Sequence, residues 1–398
     1  MNDLSPEAAG GAASPDASGA MVYLRDSDSE AVLRQCLADL GLAAASYTSG
    51  GIENAIADLA HHDSPRLLVV DITGTAEPVT RVAELAQLCA PSTGVIIIGD
   101  TNDVVLYRQL RAEGVVEYFF KPLVANLVGE TCSFILSGTT PQHQSRTGKL
   151  VTVLGVHGGV GATSIATSAG WHVAELRHRH ALLLDLDLNE GDMALQLDQI
   201  PNDTLYEALQ QPDRVDTVFL ERGVTHVTPR LDLLASLEPL DATVGLREES
   251  VVALLANLLD RYRYVFVDLP PLLAPQLLGV LRLPGICILV SDRSLVAARD
   301  VSRWRQKIGP NTAERQTLHI VNKAGADNGL PEEEFIRAVG RAPDLVIPYN
   351  RDISLASVKG AKSLGTDNPL ERALLPVLRL ITGEPPEAHH SLFDRLFG

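Results

Sequence analysis

Apolar and polar residues along the chain follow the pattern of short buried strands that alternate with amphipathic helices. From Met21 onward, short apolar runs recur, and the segments between them carry apolar residues at helical spacing. The helix predicted at 28–40, for example, places Leu33, Leu37 and Leu40 on one face. Strands that alternate with helices in this way form a parallel sheet with helices on its faces, so we predict an α/β protein.

Interruptions of this pattern divide the chain into segments. Residues 1–20 are mostly Ala, Gly, Ser and Pro with scattered acids, which predicts a disordered tail. A first α/β segment covers 21–136, and a polar stretch without periodicity, 137–148, is predicted to be a linker. The second α/β segment covers 149–383. The remainder, 384–398, opens on a Pro-rich break and is predicted to be a tail with a short amphipathic segment.

Each α/β segment is predicted to contain its own sheet. The predicted strands are 21–24, 67–70, 95–98 and 117–120 in the first segment, with another around 44–47, and 150–155, 181–185, 264–268, 286–291, 317–322 and 345–348 in the second.

Composition and charge narrow the class of protein. A chain of 398 residues is long enough for two or three domains, and 45% hydrophobic with 21% charged residues is ordinary for globular protein. The net charge of -17 argues against broad, charge-driven binding to nucleic acid, so no nucleic-acid partner is expected. The four cysteines are far apart and are interpreted as reduced core thiols. With neither a membrane-length apolar run nor a secretory signal in view, we expect a cytoplasmic protein.

The strongest chemical signal follows the first strand of the second segment. That strand leads into Gly-Val-His-Gly-Gly-Val-Gly-Ala-Thr-Ser, residues 155–164, and a helix follows. Glycines allow backbone N–H groups to close around phosphates, and the helix N-terminus adds a favourable potential. Thr163 stands where a P-loop hydroxyl contacts Mg²⁺, and Ser164 follows it. The sequence therefore predicts a nucleotide site.

Acidic residues end two later strands of the same segment. Asp185 and Asp187 end the run Ala-Leu-Leu-Leu-Asp-Leu-Asp, and Asp268 ends Tyr-Val-Phe-Val-Asp. Because ligands bind at the carboxyl ends of strands in open α/β sheets, we expect these acids to converge on the glycine loop. The alternative is that they are solvated strand-end residues or helix caps.

These motifs together resemble the deviant Walker A ATPases of the MinD/ParA family, over residues 149–380. The family loop reads K-G-G-x-G-K-[ST], whereas this chain has His157 at the signature lysine and Ala162 at the usual P-loop lysine. The resemblance implies a homodimer that binds ATP or ADP with Mg²⁺, and catalytic acids at Asp185, Asp187 and Asp268. It implies Mg²⁺ contacts from Thr163 and Asp268, and nucleotide contacts from His157, Gly158, Gly159, Val160, Gly161, Ala162, Thr163, Ser164, Asn322, Pro348 and Tyr349, the last three on the adenine side.

Loss of the two lysines has physical consequences. A lysine–phosphate contact is a charge-assisted hydrogen bond worth about 1.5–3 kcal/mol, so its loss weakens binding about ten- to a hundredfold. Catalysis suffers more, because phosphoryl transfer depends on cations that stabilise the transferring group. His157 supplies positive charge only when it is protonated. We therefore expect weak nucleotide binding and slow or absent hydrolysis.

The first segment resembles the response-regulator receiver fold, which is flavodoxin-like, over residues 21–136. Asp71 matches the phosphoacceptor, Asp26 matches one acid of the metal-binding pair, and Lys121 matches the lysine that closes the site. The hydroxyl residue that should follow the fourth strand is replaced by Gly99, and Thr101 comes only two positions later. Two interpretations remain open, an unphosphorylated docking scaffold and an active phosphoacceptor.

A degenerate receiver followed by such an ATPase is similar to the TadZ/CpaE proteins of Flp (tight adherence) pilus systems, over about 21–380. The resemblance implies a protein at a cell pole, peripheral to the inner membrane. Its implied partners are the pilus secretion ATPase and the inner-membrane platform proteins. The alternatives are a working ATPase switch, as in division or plasmid partition, and a phosphorelay output protein governed by Asp71.

The final residues, Ser-Leu-Phe-Asp-Arg-Leu-Phe-Gly, form a short amphipathic pattern. Leu392, Phe393, Leu396 and Phe397 share one helical face. MinD proteins place a C-terminal amphipathic helix on the membrane, so the resemblance suggests peripheral membrane contact. The segment is short and has a single Arg beside an Asp, which is unfavourable for lipid binding. Packing on the ATPase domain, docking on a partner and lipid binding are the alternatives.

Overall fold

The chain forms two compact units that divide between Ser145 and Arg146. The computed structural model describes residues 19–137 and 148–383, apart from 43, 63, 240, 242–244, 327–328, 352 and 354–367. Most of the predicted tail and linker and all of the predicted C-terminal segment 384–398 lie outside the described residues.

The first unit is a parallel five-stranded sheet in the order β2-β1-β3-β4-β5. Its strands are β1 Ala20–Leu24, β2 Ser46–Ser49, β3 Leu67–Asp71, β4 Gly94–Gly99 and β5 Glu117–Phe120, and its helices are α1 Ser27–Asp39, α2 Ile52–Leu59, α3 Pro78–Leu88, α4 Val104–Ala112 and α5 Ala125–Leu136. The central strands β3 and β4 are buried along their whole length because helices cover both faces of the sheet.

The second unit has an eight-stranded sheet in the order β13-β12-β11-β6-β10-β7-β9-β8. Its strands are β6 Lys149–Gly155, β7 Ala181–Asp185, β8 Thr225–Thr228, β9 Leu231–Leu234, β10 Tyr264–Leu269, β11 Gly285–Ser291, β12 Arg315–Ala324 and β13 Leu345–Pro348. All neighbouring strands are parallel except β8 and β9. The carboxyl ends of the parallel strands therefore meet at one edge, with β6 near the middle.

Helices cover both faces of this second sheet. They are α6 Ala162–Trp171, α7 Met193–Gln196, α8 Thr204–Gln210, α9 Thr217–Gly223, α10 Glu248–Arg261, α11 Leu295–Ile308, α12 Glu332–Val339 and α13 Pro369–Thr382, and α6 continues into a π-helical turn, His172–Leu176. One hydrophobic cluster lies on each face of the sheet. Within the described part of the chain, no helix combines the length and apolar character needed to cross a lipid bilayer.

The predicted α/β fold class is confirmed, with two parallel-sheet units in chain order. The antiparallel edge pair β8 and β9 was absent from the predicted strands. Both strands are short, and β8 (Thr-His-Val-Thr) is only partly buried, so it lacks the apolar run that marks the central strands. The other boundaries differ from the predicted ones by up to two residues, which is usual at element ends.

Candidate nucleotide site

The loop between β6 and α6 has the backbone of a phosphate cradle. Gly159 and Gly161 have φ angles of 77° and 90°, in the left-handed region that favours glycine. A Cβ at Gly161 would lie 2.6 Å from the side-chain nitrogen of Asn322, whereas Gly158 and Gly159 have open space beside them. The backbone at Gly158 and Gly159 is therefore not covered by other side chains, and α6 begins directly after the loop, where a helix N-terminus favours an anion.

Two neighbouring residues of β12 hold the tip of this loop. Asn322 is buried and donates its side-chain N–H to the carbonyl oxygen of Val160 at 2.8 Å. Lys323 donates from Nζ to the carbonyl oxygen of Gly159 at 2.6 Å, and its own φ of 55° is positive. The carbonyl oxygens at the loop tip are thus satisfied from β12.

Asp185 and Asp268 stand side by side at the ends of β7 and β10, where they are paired in register. Burial, reinforced by the charge of Asp268, raises the pKa of Asp185 to about 8, and hydrogen bonds from the backbone N–H groups of Asp187 and Met193 oppose this. Burial likewise raises the pKa of Asp268 to about 7, although a hydrogen bond with Thr163 lowers it. Burial therefore disfavours the charged form of both carboxyl groups, which a bound cation would stabilise.

Asp187 shapes the turn after β7. Its carboxylate accepts the backbone N–H of Glu190 at 3.0 Å, and its carbonyl oxygen accepts that of Gly191 at 2.9 Å. A Cβ at Gly191 would lie 2.4 Å from this carbonyl oxygen, so the close approach of the turn requires glycine. Asp187 is only partly buried and lies two residues beyond the end of β7.

The donor atoms beside the loop fit Mg²⁺ that arrives with a nucleotide. Among the described residues no group of three or more His, Cys, Asp or Glu side chains is arranged to hold a metal ion alone. Mg²⁺ commonly uses one or two carboxylates and completes its shell with phosphate oxygens and water. The carboxylate of Asp268 and the hydroxyl of Thr163, already in contact with each other, supply such a partial set of ligands.

His157 is the basic residue at the start of the loop. Its Nε2 lies 3.4 Å from Oδ1 of Asp292, which follows β11, and its Nδ1 lies 3.0 Å from the carbonyl oxygen of Gly158. Ala162, at the first position of α6, carries no charge. Positive charge at the loop thus comes from His157, when protonated, and from Lys323.

Pro348 and Tyr349 lie at the same edge of the sheet but farther from the loop. Pro348 pairs with Ala324 at the end of β12, and the backbone N–H of Tyr349 donates to the carbonyl oxygen of Ala324 at 2.7 Å. Tyr349 is half exposed, at 49%. Its side chain is therefore open to solvent.

A second polar cluster lies at the carboxyl edge of the first unit's sheet. Nζ of Lys121 lies 2.6 Å from a carboxylate oxygen of both Asp26 and Asp71. Asp71 is fully buried, and it also accepts backbone N–H groups from Arg25 and Thr73. Burial alone would raise the pKa of Asp71, but the bonds from Lys121 and Thr73 lower it. The three residues predicted from the receiver resemblance are thus brought together as an ion-paired cluster.

The last residue of β4, Gly99, differs from the corresponding residue of a receiver in a way that the structure explains. Tyr118 lies against Gly99, since a Cβ there would be 2.6 Å from its hydroxyl oxygen. That hydroxyl donates to the carbonyl oxygen of Thr101 at 2.7 Å. The side chain of Thr101 is exposed and contacts Asp100. A tyrosine therefore lies against the position where a receiver would have its hydroxyl residue.

No protein-family model and no curated protein sequence matches the chain. Solved structures do match. A ParA family ATPase from Chlorobium tepidum is 20% identical, with a TM-score of 0.51, and the match covers 58% of this chain and 98% of that one. The second unit has the fold of a ParA family ATPase. The matched part of this chain is longer than the whole first unit, so the match must extend over the second unit. At 20% identity it establishes the fold alone.

Two further structures match with lower scores. The septum site-determining protein MinD from Pyrococcus horikoshii, solved with Mg-ADP, is 18% identical over 58% of this chain and 95% of that one, with a TM-score of 0.44. A putative CpaE2 pilus assembly protein from Sinorhizobium meliloti is 30% identical over 29% of this chain and 98% of that one, with a TM-score of 0.27. The assignment of the ParA-like fold rests on the first match and the strand order.

Lys323 and Asp292 of the ParA-like unit were not predicted as site residues from the sequence. Lys323 directly follows Asn322 at the end of an apolar strand, and Asp292 directly follows β11. Their position at strand ends is the signal that could have found them, by the same rule that singled out Asp185 and Asp268. Neither belongs to the motifs that carried the family resemblance.

Proposed function

We propose that the protein is a nucleotide-binding scaffold with weak or lost hydrolysis. The observation that carries the proposal is a complete phosphate cradle that has Ala162 where the main phosphate-binding cation would stand. The glycine backbone, the helix N-terminus, Thr163 and the carboxylates of Asp185 and Asp268 are in place. Such a site retains backbone amides for phosphate while it lacks the cation on which phosphoryl transfer depends.

The proposed cellular role is assembly and polar localisation of Flp/Tad pili. It is supported by the similarity to TadZ/CpaE proteins, which have the same order of a receiver-like unit before a ParA-like unit and a similar loop. The proposed partners are a second copy of this chain, the pilus secretion ATPase and the inner-membrane platform proteins. In this role the ion-paired cluster of Asp26, Asp71 and Lys121 belongs to a docking unit.

The test of the nucleotide-binding proposal is calorimetric titration of the full-length chain with ATP and Mg²⁺, followed by a hydrolysis assay. We expect a Kd in the micromolar range or weaker, because a cation contact worth about ten- to a hundredfold is missing. Size-exclusion chromatography with and without ATP tests whether the nucleotide promotes a dimer. Nanomolar binding would contradict the account of Ala162.

The second candidate is a working ATPase switch for spatial positioning, and the set of Asp185, Asp187 and Asp268 favours it. Turnover as fast as that of ordinary members of the ATPase class would support the switch and remove the basis of the scaffold. Asp268→Ala must abolish whatever turnover is measured, since otherwise the activity belongs to a contaminant.

Labelling with acetyl phosphate, with Asp71→Asn as control, tests the phosphorelay alternative.

A further inference from the structure

Large apolar side chains are exposed beyond the carboxyl ends of β7 and β9, which are neighbours in the second sheet. Leu195 of α7 is 73% exposed, Ile200 is 86% exposed, and Leu237, which follows β9, is 56% exposed. Single exposed apolar residues are ordinary on a protein surface, whereas a group of them marks an interaction site. We call Leu195, Ile200 and Leu237 the apolar patch.

Hydrogen bonds hold the two segments of the apolar patch side by side. The backbone N–H of Glu238 donates to the carbonyl oxygen of Leu188 at 2.7 Å. The hydroxyl of Ser236 donates to the carbonyl oxygen of Asn202 at 2.6 Å. In each segment the residues of the patch lie between these two bonded positions. The patch is therefore formed by segments that are tied to each other.

The apolar patch lies in an acidic part of the chain. Residues 186–203, which carry Leu195 and Ile200, contain five acids and no Lys, Arg or His. These acids are Asp187, Glu190, Asp192, Asp198 and Asp203, and Glu238 directly follows Leu237. In the part of the chain that the structure describes, none of them forms an ion pair. A partner with Lys or Arg beside its own apolar side chains would complement both features of this surface.

The charge and the topology decide between kinds of partner. A second copy that docked through the same patch would bring acids against acids, and anionic lipid would be repelled in the same way. An added β-strand needs an open sheet edge, whereas the patch lies beyond the ends of β7 and β9, which are paired with each other. An amphipathic helix needs only an apolar surface to receive its apolar face.

We propose that the apolar patch binds a basic amphipathic helix of another protein. The apolar face of the helix covers Leu195, Ile200 and Leu237, and its Lys or Arg side chains lie towards the neighbouring acids. The inference goes beyond the proposed function, because it concerns a surface beyond β7 and β9 and requires no nucleotide. Burial of apolar area supplies affinity, and the charges supply orientation and partner choice. Binding should therefore weaken as salt rises without being abolished.

The test adds full-length protein to a labelled peptide of Leu and Lys and measures fluorescence anisotropy. The peptide has about 18 residues, or five helical turns, with its leucines on one helical face. One comparison peptide has the same composition in scrambled order, and another has Glu in place of Lys. We expect the Leu–Lys peptide to bind about tenfold or more tightly than the scrambled one, and the Leu–Glu peptide not to bind. Failure of the Leu–Lys peptide to bind, or equal binding of all three, overturns the proposal.

Paired substitutions test the apolar contact. Leu195→Ser together with Leu237→Ser should weaken binding of the Leu–Lys peptide about tenfold or more, because less apolar area is buried. Val346→Ser together with Leu380→Ser, at exposed positions of β13 and α13, is the matched control and should leave the affinity unchanged. Equal effects of the two pairs would overturn the assignment of the patch.

A second pair of variants tests the acids. Asp198→Asn together with Asp203→Asn should weaken binding severalfold at low salt and have little effect at high salt. Asn suits position 198, where φ is 55°, because it tolerates the left-handed region. Asp260→Asn together with Glu334→Gln removes the same charge from exposed positions of α10 and α12. Equal weakening by both pairs would mean that net charge alone attracts the peptide, and would overturn the proposed site.

Hydrogen exchange with and without the Leu–Lys peptide maps the contact directly. Protection of residues 188–202 and 235–239 supports the proposal, whereas protection confined to other segments overturns it. Sedimentation and vesicle flotation compare wild type with the double variant Leu195→Ser and Leu237→Ser. Loss of a dimer in that variant would assign the patch to a second copy, and loss of binding to anionic or neutral vesicles would assign it to a membrane. Either result overturns the proposal, and melting curves check that the variants are folded.

Discussion

At the scale of single residues, Ala162 is the position where one side chain has the largest expected effect on chemistry. It begins α6 within a cradle whose other parts are present. Ala162→Lys should strengthen ATP binding about ten- to a hundredfold, because it adds a charge-assisted contact to phosphate. Hydrolysis should rise with it. Titration calorimetry and a phosphate-release assay measure both, and Ala162→Met controls for side-chain length. Equal effects of Lys and Met would show that charge is not what the site lacks.

Asp185 gives the metal-free protein a predictable dependence on pH. Its pKa is raised to about 8, so the folded chain keeps a proton that the unfolded chain releases above about pH 4. The free energy of unfolding should therefore fall as the pH rises from about 4 to about 8, by at most about 1.4 kcal/mol per pH unit for this group. Urea denaturation in EDTA at several pH values measures the slope. Asp185→Asn should flatten it, and Asp260→Asn, at an exposed position, should not.

At the scale of elements, α13 supports the helix that begins at the loop. It packs on α6, and the side chain of Glu371 lies 2.6 Å from Nδ1 of His172 with both residues buried. Leu374 is 1% exposed on the packed face, whereas Leu380 is 41% exposed. Leu374→Ala should cost about 2–5 kcal/mol of stability in urea denaturation, and Leu380→Ala should stay within about 0.5 kcal/mol. Similar losses of stability for the two variants would mean that the packed face of α13 does not belong to the hydrophobic core.

The central strands were predictable because their apolar sequence reflects burial on both faces of the sheet. Tyr-Val-Phe-Val at 264–267 and Val-Ile-Ile-Ile at 95–98 are continuous apolar runs, which a strand needs only when both faces of its sheet are covered. The edge strand β8 has no such run. The contacts of Lys323 with Gly159 and of His157 with Asp292 join residues far apart in the chain. Such contacts depend on which strands become neighbours, and the local pattern of a sequence does not encode strand order.

At the scale of the whole molecule, the sequence after residue 383 carries the amphipathic pattern of Leu392, Phe393, Leu396 and Phe397. Its apolar face argues for burial, while the net charge of -17 opposes attraction to anionic lipid. We expect wild type and a chain ending at residue 390 to pellet equally with liposomes, and the shortened chain to unfold at lower urea. Anionic and neutral liposomes are compared. Loss of pelleting on truncation would support the lipid interpretation instead.

Under the proposed function, protons and a metal ion compete for the carboxyl groups of Asp185 and Asp268. A cation that binds there must displace the protons that burial retains, so loading with Mg²⁺ should acidify a weakly buffered solution. In a more acidic solution the metal side of the proposed site should therefore fill less readily, because the ion meets carboxyl groups that already carry protons.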